Sequence, residues 1–204
     1  MKKINYENYY WQNDLVRLRA LKEEDWEESY YNQFDSKARV MLQYELELPP
    51  VEEKVKESYS AFVGFKPGTG RLMFAIENLE GEFVGSFNLN SIDEKNGTFS
   101  IGMQMSVGQR GKGYGTAAMR ILLGYAFFER RLNKYNGSVI QWNVGSATML
   151  KKVGCKQEGI RRQNIYTDGH YVDEILYGLT KEDFIANEEK LNRYTEKEHV
   201  DLGE

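Results

Sequence analysis

The chain has 204 residues, with 27 lysines and arginines against 31 aspartates and glutamates, a formal charge of −4. A 41% hydrophobic and 13% aromatic content supplies one full core, which excludes a wholly disordered chain. One cysteine and two histidines exclude a disulfide framework, leave too few ligands for a structural zinc site, and point to the cytoplasm. Met1–Trp11 lacks a secretory apolar region, and no apolar run reaches the roughly 18–20 residues of a membrane helix. No membrane partner is expected, and the acidic balance argues against direct nucleic-acid binding.

In chain order, Leu15–Ala20 alternates apolar and basic residues as a strand with one buried face does, and Glu23–Phe34 carries Trp26, Tyr30 and Phe34 at helical spacing. Pro49-Pro50 ends what precedes it. Val51–Phe62 predicts a second helix with Val51, Val55, Tyr59 and Phe62 on one side, and Lys66-Pro67-Gly68-Thr69-Gly70 an exposed turn. Leu72–Ile76, Phe83–Leu89 and Thr98–Val107 have period two with short, turn-rich connections, which predicts an antiparallel meander. A Gly-rich loop at Gly108–Gly113 then leads into a strongly apolar helix at Gly115–Arg130. A strand at Ser138–Trp142, a helix at Ser146–Val153 and a hairpin of Cys155–Tyr166 with Tyr171–Leu179, turned at Asp168-Gly169, complete the body. Lys181–Glu204 is charged throughout and predicts a peripheral helix with a frayed tail. The order is that of a mixed α/β fold with one sheet, since a doubly wound parallel sheet would alternate from the start.

Arg110-Gly111-Lys112-Gly113-Tyr114-Gly115-Thr116 lies between a strand and a helix. Glycines there let several backbone N–H groups turn inward and the helix N-terminus adds partial positive charge, so the element suits a phosphate or pyrophosphate. The plainer alternative, a tight turn into a buried helix, needs one glycine rather than the four between Gly108 and Gly115. A Walker A loop is disfavoured because Gly113, not Ser or Thr, follows Lys112. Gly113-Tyr114-Gly115-Thr116-Ala117-Ala118 has the letters of a dinucleotide fingerprint, but it follows a meander rather than the first strand of a βαβ unit.

Ile101-Gly102, Arg110-x-x-Gly113-x-Gly115, Asn143-x-x-Ser146 and Gly154 with Glu158-Gly159 together resemble the GNAT N-acetyltransferase superfamily. More narrowly, Asn143-x-x-Ser146 followed by Gly154 is similar to the RimJ/RimL-like branch, which includes ribosomal-protein N-terminal acetyltransferases. The resemblance implies a GNAT domain over 15–184 between a 1–14 extension and a 185–204 tail, with a central, largely antiparallel sheet flanked by helices and a splayed strand pair holding acetyl-CoA. It implies that Gln109, Arg110, Gly111, Lys112, Gly113, Tyr114, Gly115 and Thr116 bind the cofactor's phosphates. It also implies that the strand Met103–Val107 bulges and pairs with the pantetheine arm through Met103, Met105 and Val107. Core packing is the competing role for Met103 and Met105. No metal is implied.

The implied reaction is acetyl transfer to a primary amine, on a small molecule or a peptide N-terminus, with a ribosomal protein as a candidate partner. It needs a neutral amine, a stabilised oxyanion and a proton for the departing thiolate. Asn143 could hold the pantetheine or a water and Ser146 could protonate the sulfur, while either could instead cap the following helix. Leu150 stands where many relatives have a tyrosine acid, Ser100 and Ala117 where they often have acidic residues, and Cys155 where a Phe is usual. Cys155 reads as a packed small hydrophobe rather than a nucleophile. Those departures support a rival reading, an acyl-CoA-binding regulatory module without turnover. Glu77 is the one carboxylate offered as a base, against an exposed strand-end role, and His170 and His199 read as solvated. An α-amine, with a reference pKa near 8, needs less help than a lysine near 10.4, which favours a low-pKa acceptor. Glu45 and Glu47 could attract a cationic amine, and the sheet edges with the C-terminal helix could support a homodimer.

Overall fold

The computed structural model describes residues 4–64 and 70–200. Apart from Gly70, the turn expected at 66–70 lies outside the described residues, as does the end of the tail. A seven-stranded sheet is built from β1 (Val16–Ala20), β2 (Leu72–Asn78), β3 (Phe83–Asp93), β4 (Thr98–Met105), β5 (Lys134–Ile140), β6 (Lys156–Thr167) and β7 (His170–Thr180), in the order β1-β2-β3-β4-β5-β7-β6. All neighbours are antiparallel except β4 and β5. The expected mixed α/β fold with one largely antiparallel sheet is therefore the fold observed.

The helices are α1 (Trp26–Asn32), α2 (Ser36–Gln43), α3 (Glu52–Ser60), α4 (Tyr114–Gly124), α5 (Val144–Lys152) and α6 (Lys181–Val200). Sequence periodicity missed α2. It buries no residue fully, so no apolar stripe announces it; what starts it is the Asp35 carboxylate accepting the Ala38 N–H, 3.1 Å, an N-cap. It stops at Tyr44, which is left-handed at φ 63°. A further turn of π-helix, Tyr125–Glu129, continues α4.

The main core lies between the sheet and α4 and α6, where Phe87, Phe99, Leu122, Phe127 and Phe184 are buried. Each such side chain contributes about 1.5–3 kcal/mol. The opposite face is covered by α1 and α3 over Leu21, Tyr59 and Ala75, and by Met41 and Tyr44 over Ile140, Ile165 and Val172. The basic residues of β1 consequently do not face water. Arg17 stands opposite Glu77 in register and bonds its Oε1 at 2.7 Å, Arg19 bonds its Oε2 at 2.7 Å and also grips Asp25, and the Arg17 guanidinium lies 3.5 Å from the Tyr6 ring centroid. Glu77, expected as an exposed strand end, is only 6% exposed. Each buried charge here has its counter-charge beside it, the condition under which burial is tolerated.

The feature that positions the site is the parting of β4 from β5. They pair only at Thr98↔Lys134 and Phe99↔Tyr135. One residue on, the Ser100 hydroxyl donates to the Asn136 carbonyl at 2.8 Å, a side-chain link where the ladder ends. β5 then stays with β7 as far as Ile140↔Glu174, while β4 stays with β3 as far as Gly85↔Met105. Both facing edges are thereby left without strand partners. No bulge interrupts Met103–Met105, the part of the expected Met103–Val107 bulge that pairs with β3; the register shift falls at Asn90/Asp93 on β3, beside Ser91 at φ 50°. Divergence rather than bulging frees the backbone of β4.

Candidate active site

A cavity of about 800 Å³ fills the parted strands and opens toward both faces of the sheet. Along β4, Ser100, Gly102 and Gln104 point to one face while Ile101, Met103 and Met105 point to the other; the second set packs on the main core, and Gln104 reaches Arg39 of α2. The cavity therefore has an α4–α5 side and an α2 side.

On the α4–α5 side, Gly113 caps α4 in the left-handed region at φ 85°, a conformation that disfavours a side chain. The first intrahelical bond runs from Ala117 N–H to Gly113 O at 3.0 Å, so the amides of Tyr114, Gly115 and Thr116 precede it and have no partner within the helix. Gly115 lies close to the methionines of the wall: a Cβ there would sit 3.3 Å from Met103 Sδ and 3.4 Å from Met149 Sδ and would press on both. Free amides at the positive end of an eleven-residue helix fit an anionic diphosphate.

Gln109, Arg110, Gly111, Gly113, Tyr114, Gly115 and Thr116 line the cavity, as do Met103 and Met105. Two residues expected there do not. Val107 is exposed and its N–H donates to Asn32 Oδ1, and Lys112 turns to Gln109 Oε1 at 2.8 Å. The Arg110 guanidinium is also committed: it donates to the Met105 carbonyl at 3.2 Å and to Asp35 Oδ2 at 2.6 Å, clamping the loop to the end of β4 and the start of α2. Burial pushes the Asp35 carboxyl up, but the Ala38 amide and Arg110 outweigh it and hold it below the usual carboxylate range.

Asn143 and Ser146 both line the cavity from α5. Their division of labour is resolved: Asn143 Oδ1 accepts the Ser146 N–H at 3.0 Å and is the N-cap, so Ser146 is not. The Ser146 hydroxyl makes no hydrogen bond among the described residues. Leu150 is buried at the cavity wall. Cys155 is buried in the main core, and burial, with Glu158 nearby, pushes its thiol up to about 12, which suits packing rather than nucleophilic work.

The α2 side is made by side chains. The Tyr44 hydroxyl lies 2.9 Å from Ser138 Oγ of β5, with burial pushing the phenol up, and Asn90, Gln104, Leu176 and Arg161 complete that wall. Sequence reading missed Ser138 as a wall residue; only a fold that brings α2 over β5 puts it beside Tyr44. Glu77 does not line the cavity, and both its oxygens are held by arginines. Glu45 is exposed outside it, and Glu47 is bound by Arg39 through contacts of 2.5 and 2.6 Å. His170 sits on the hairpin with its Nδ1 near the Asp168 carbonyl, and the side chain of His199 lies outside the described residues. Among the described residues no carboxylate or imidazole lines the cavity, no group of side chains could hold a metal ion, and no helix is long and apolar enough to cross a membrane.

A family model described as "Acetyltransferase (GNAT) domain" matches residues 16–156. The SPbeta prophage-derived uncharacterized N-acetyltransferase YokL of Bacillus subtilis is 28% identical over 189 residues, 87% of this chain and 97% of that protein. Spermidine N-acetyltransferase from Vibrio cholerae, solved in complex with CoA and spermine, superposes with a TM-score of 0.74 at 18% identity, covering 85% of this chain and 99% of that one. Mycobacterium smegmatis RimJ in complex with CoA-disulfide superposes with a TM-score of 0.70 at 22% identity, over 82% of this chain and 83% of that one. At such identities these two likenesses are of fold.

Proposed function

The chain belongs to the GNAT acetyltransferase family, and from that premise we propose that it moves the acetyl group of acetyl-CoA directly to a primary amine of low pKa, in the manner of the RimJ/RimL-like branch. Acetyl-CoA supplies an activated thioester carbonyl. The carrying observation is the coincidence of partnerless amides at 114–116 with the free edge of β4 in one cavity. The amides and the α4 dipole hold the diphosphate, and the exposed edge of β4 aligns the pantetheine arm.

The amine nitrogen attacks the carbonyl carbon from the α2 side, the C–S bond breaks, and the sulfur takes a proton from the Ser146 hydroxyl, which is re-protonated from water. Asn143 fixes Ser146 by capping α5. The proton lost from nitrogen goes to solvent. With no carboxylate or imidazole in the described wall, an acceptor near pKa 8, such as the α-amine of a protein N-terminus, including a ribosomal protein's, or of a small molecule, reacts more readily than a lysine side chain near 10.4.

The test is calorimetry with coenzyme A together with acetylation of an amine panel, products identified by mass. Binding with turnover, faster for α-amines than for lysine side chains, is expected. Binding without turnover would leave only the regulatory module, and no binding would remove the cofactor site altogether.

A further inference from the structure

The two sides of the cavity differ in charge. Of the charged side chains that line it among the described residues, Arg110 and Lys152 come from the loop before α4 and from α5, and only Arg161 stands on the α2 side. Its place follows from strand register. Arg161 of β6 is opposite Glu174 of β7, which is opposite Ile140 of β5, and Leu176 of β7 is opposite Ser138. Opposite residues share a face, as do residues two apart, so Arg161 lies on the same face as Leu176 and Ser138, one row over from them and near Tyr44.

Arg161 is held from beneath. Glu174 is 4% exposed, and its Oε2 accepts from Arg161 Nη1 at 3.0 Å and from Asn164 Nδ2 at 2.8 Å. The Arg161 side chain is 59% exposed, and its Nε and Nη2 make no hydrogen bond among the described residues. A guanidinium braced on one edge and open on the other is arranged to take a carboxylate through the open edge. The other arginine near this wall is already spent: Arg39 gives Nε and Nη2 to Glu47 and Nη1 to Gln104.

We propose that the acceptor is an amine that itself carries a carboxylate, and that Arg161, braced by Glu174, binds that carboxylate while the amine enters between Tyr44 and Gln104. A polyamine is disfavoured by the same wall, since among the described residues no carboxylate lines it to neutralise a second cationic nitrogen. The inference rests on the acetyltransferase reading above and narrows its substrate class. The carboxylate can belong to a free amino acid or to an acidic first residue of a peptide.

Steady-state acetylation is measured, with each KM expressed for the neutral amine, on paired acceptors: β-alanine against β-alaninamide, aspartate against asparagine, and the peptides Asp-Ala-Ala against Asn-Ala-Ala, with spermidine as a polycation. The acid of at least one pair is expected to have a KM about tenfold or more below its neutral partner, through a charge-assisted contact, and the pair that does so identifies the source. Arg161→Gln should erase that difference by raising only the acid's KM, and Arg161→Lys should restore part of it, with thermal melting confirming that both variants fold. Equal KM within every pair, a preference for spermidine, or an acid preference that survives Arg161→Gln would overturn the inference and leave the transferase standing. Failure of coenzyme A to bind in calorimetry would instead remove the reading beneath it.

Discussion

The two sides of the cleft offer different groups to a ligand. The α4–α5 side presents backbone: the amides of Tyr114, Gly115 and Thr116 and the unpaired edge of β4. The charged side chains of its loop are turned away from ligand work, with Arg110 clamping Met105 O and Asp35, and Lys112 on Gln109. The α2 side presents Tyr44, Ser138, Gln104 and Arg161, contributed by a helix end and three strands. Backbone recognition depends on glycine placement and tolerates changes at neighbouring side chains, whereas side-chain recognition shifts with single substitutions. A shared cofactor and a variable acceptor would be served by that division.

The largest expected effect challenges the absence of a carboxylate on either side. Glu77→Ala leaves Arg17 and Arg19 facing an emptied, buried site, and breaking a buried pair in this way costs about 3–5 kcal/mol. Urea denaturation should show that loss, with kcat per folded molecule unchanged. A collapse of kcat in a variant that still folds would make Glu77 the base and end the account of proton loss to solvent. Next comes Ser146→Ala, which should lower kcat by about 10²-fold, the lower end for a positioned proton donor, with KM for coenzyme A steady. Asn143→Ala serves as its control: it removes a cap worth about 1 kcal/mol and so lowers thermal stability, which Ser146→Ala should not do.

The same division explains what was legible in the sequence. The meander, the apolar helix after the glycines and the closing hairpin were readable because their apolar periods are local. The glycine loop that opens α4 was readable because glycines at 111, 113 and 115 have few other reasons to cluster. The α2 side was not. Helix α2 has no buried residue to give it a stripe, and Tyr44 meets Ser138 across 94 positions of chain. Glu77 was misplaced because alternation on β1 suggests one wet face, and nothing local reveals that Tyr6 and Gln12 pack on Arg17 or that Asp25 holds Arg19. The parting of β4 from β5 was legible only through the family resemblance, and its cause, divergence after Phe99↔Tyr135 rather than a bulge, depends on β5 following β7.

A smaller effect tests the backbone side directly. Gly113→Val forces a β-branched residue into φ 85°, at a cost of about 1–2 kcal/mol, which the chain can escape only by reshaping the cap. Coenzyme A affinity should fall by roughly tenfold while acceptor discrimination among saturated enzyme stays as it was. Loss of discrimination with affinity intact would mean that the two sides are not separable.

The smallest effect concerns the link between them. Asp35 caps α2 and also binds Arg110, so one carboxylate ties the glycine loop to the helix that carries Tyr44. Asp35→Asn keeps a capping oxygen but removes the charge. The pair is partly exposed, with side chains 24% and 44% accessible, so the cost should be about 0.2–1 kcal/mol and should shrink with salt. The Asp35 carboxyl is held below its ordinary 3.8 in the folded chain, so its stabilisation is present above that value and is lost as pH falls through the lowered one. Wild type and Asp35→Asn should therefore differ in melting temperature at neutral pH and converge in acid. A difference that persists in acid would mean that the substitution acts through something other than the lost charge. A rise in acceptor KM without a change in coenzyme A affinity would show instead that the link acts by placing α2.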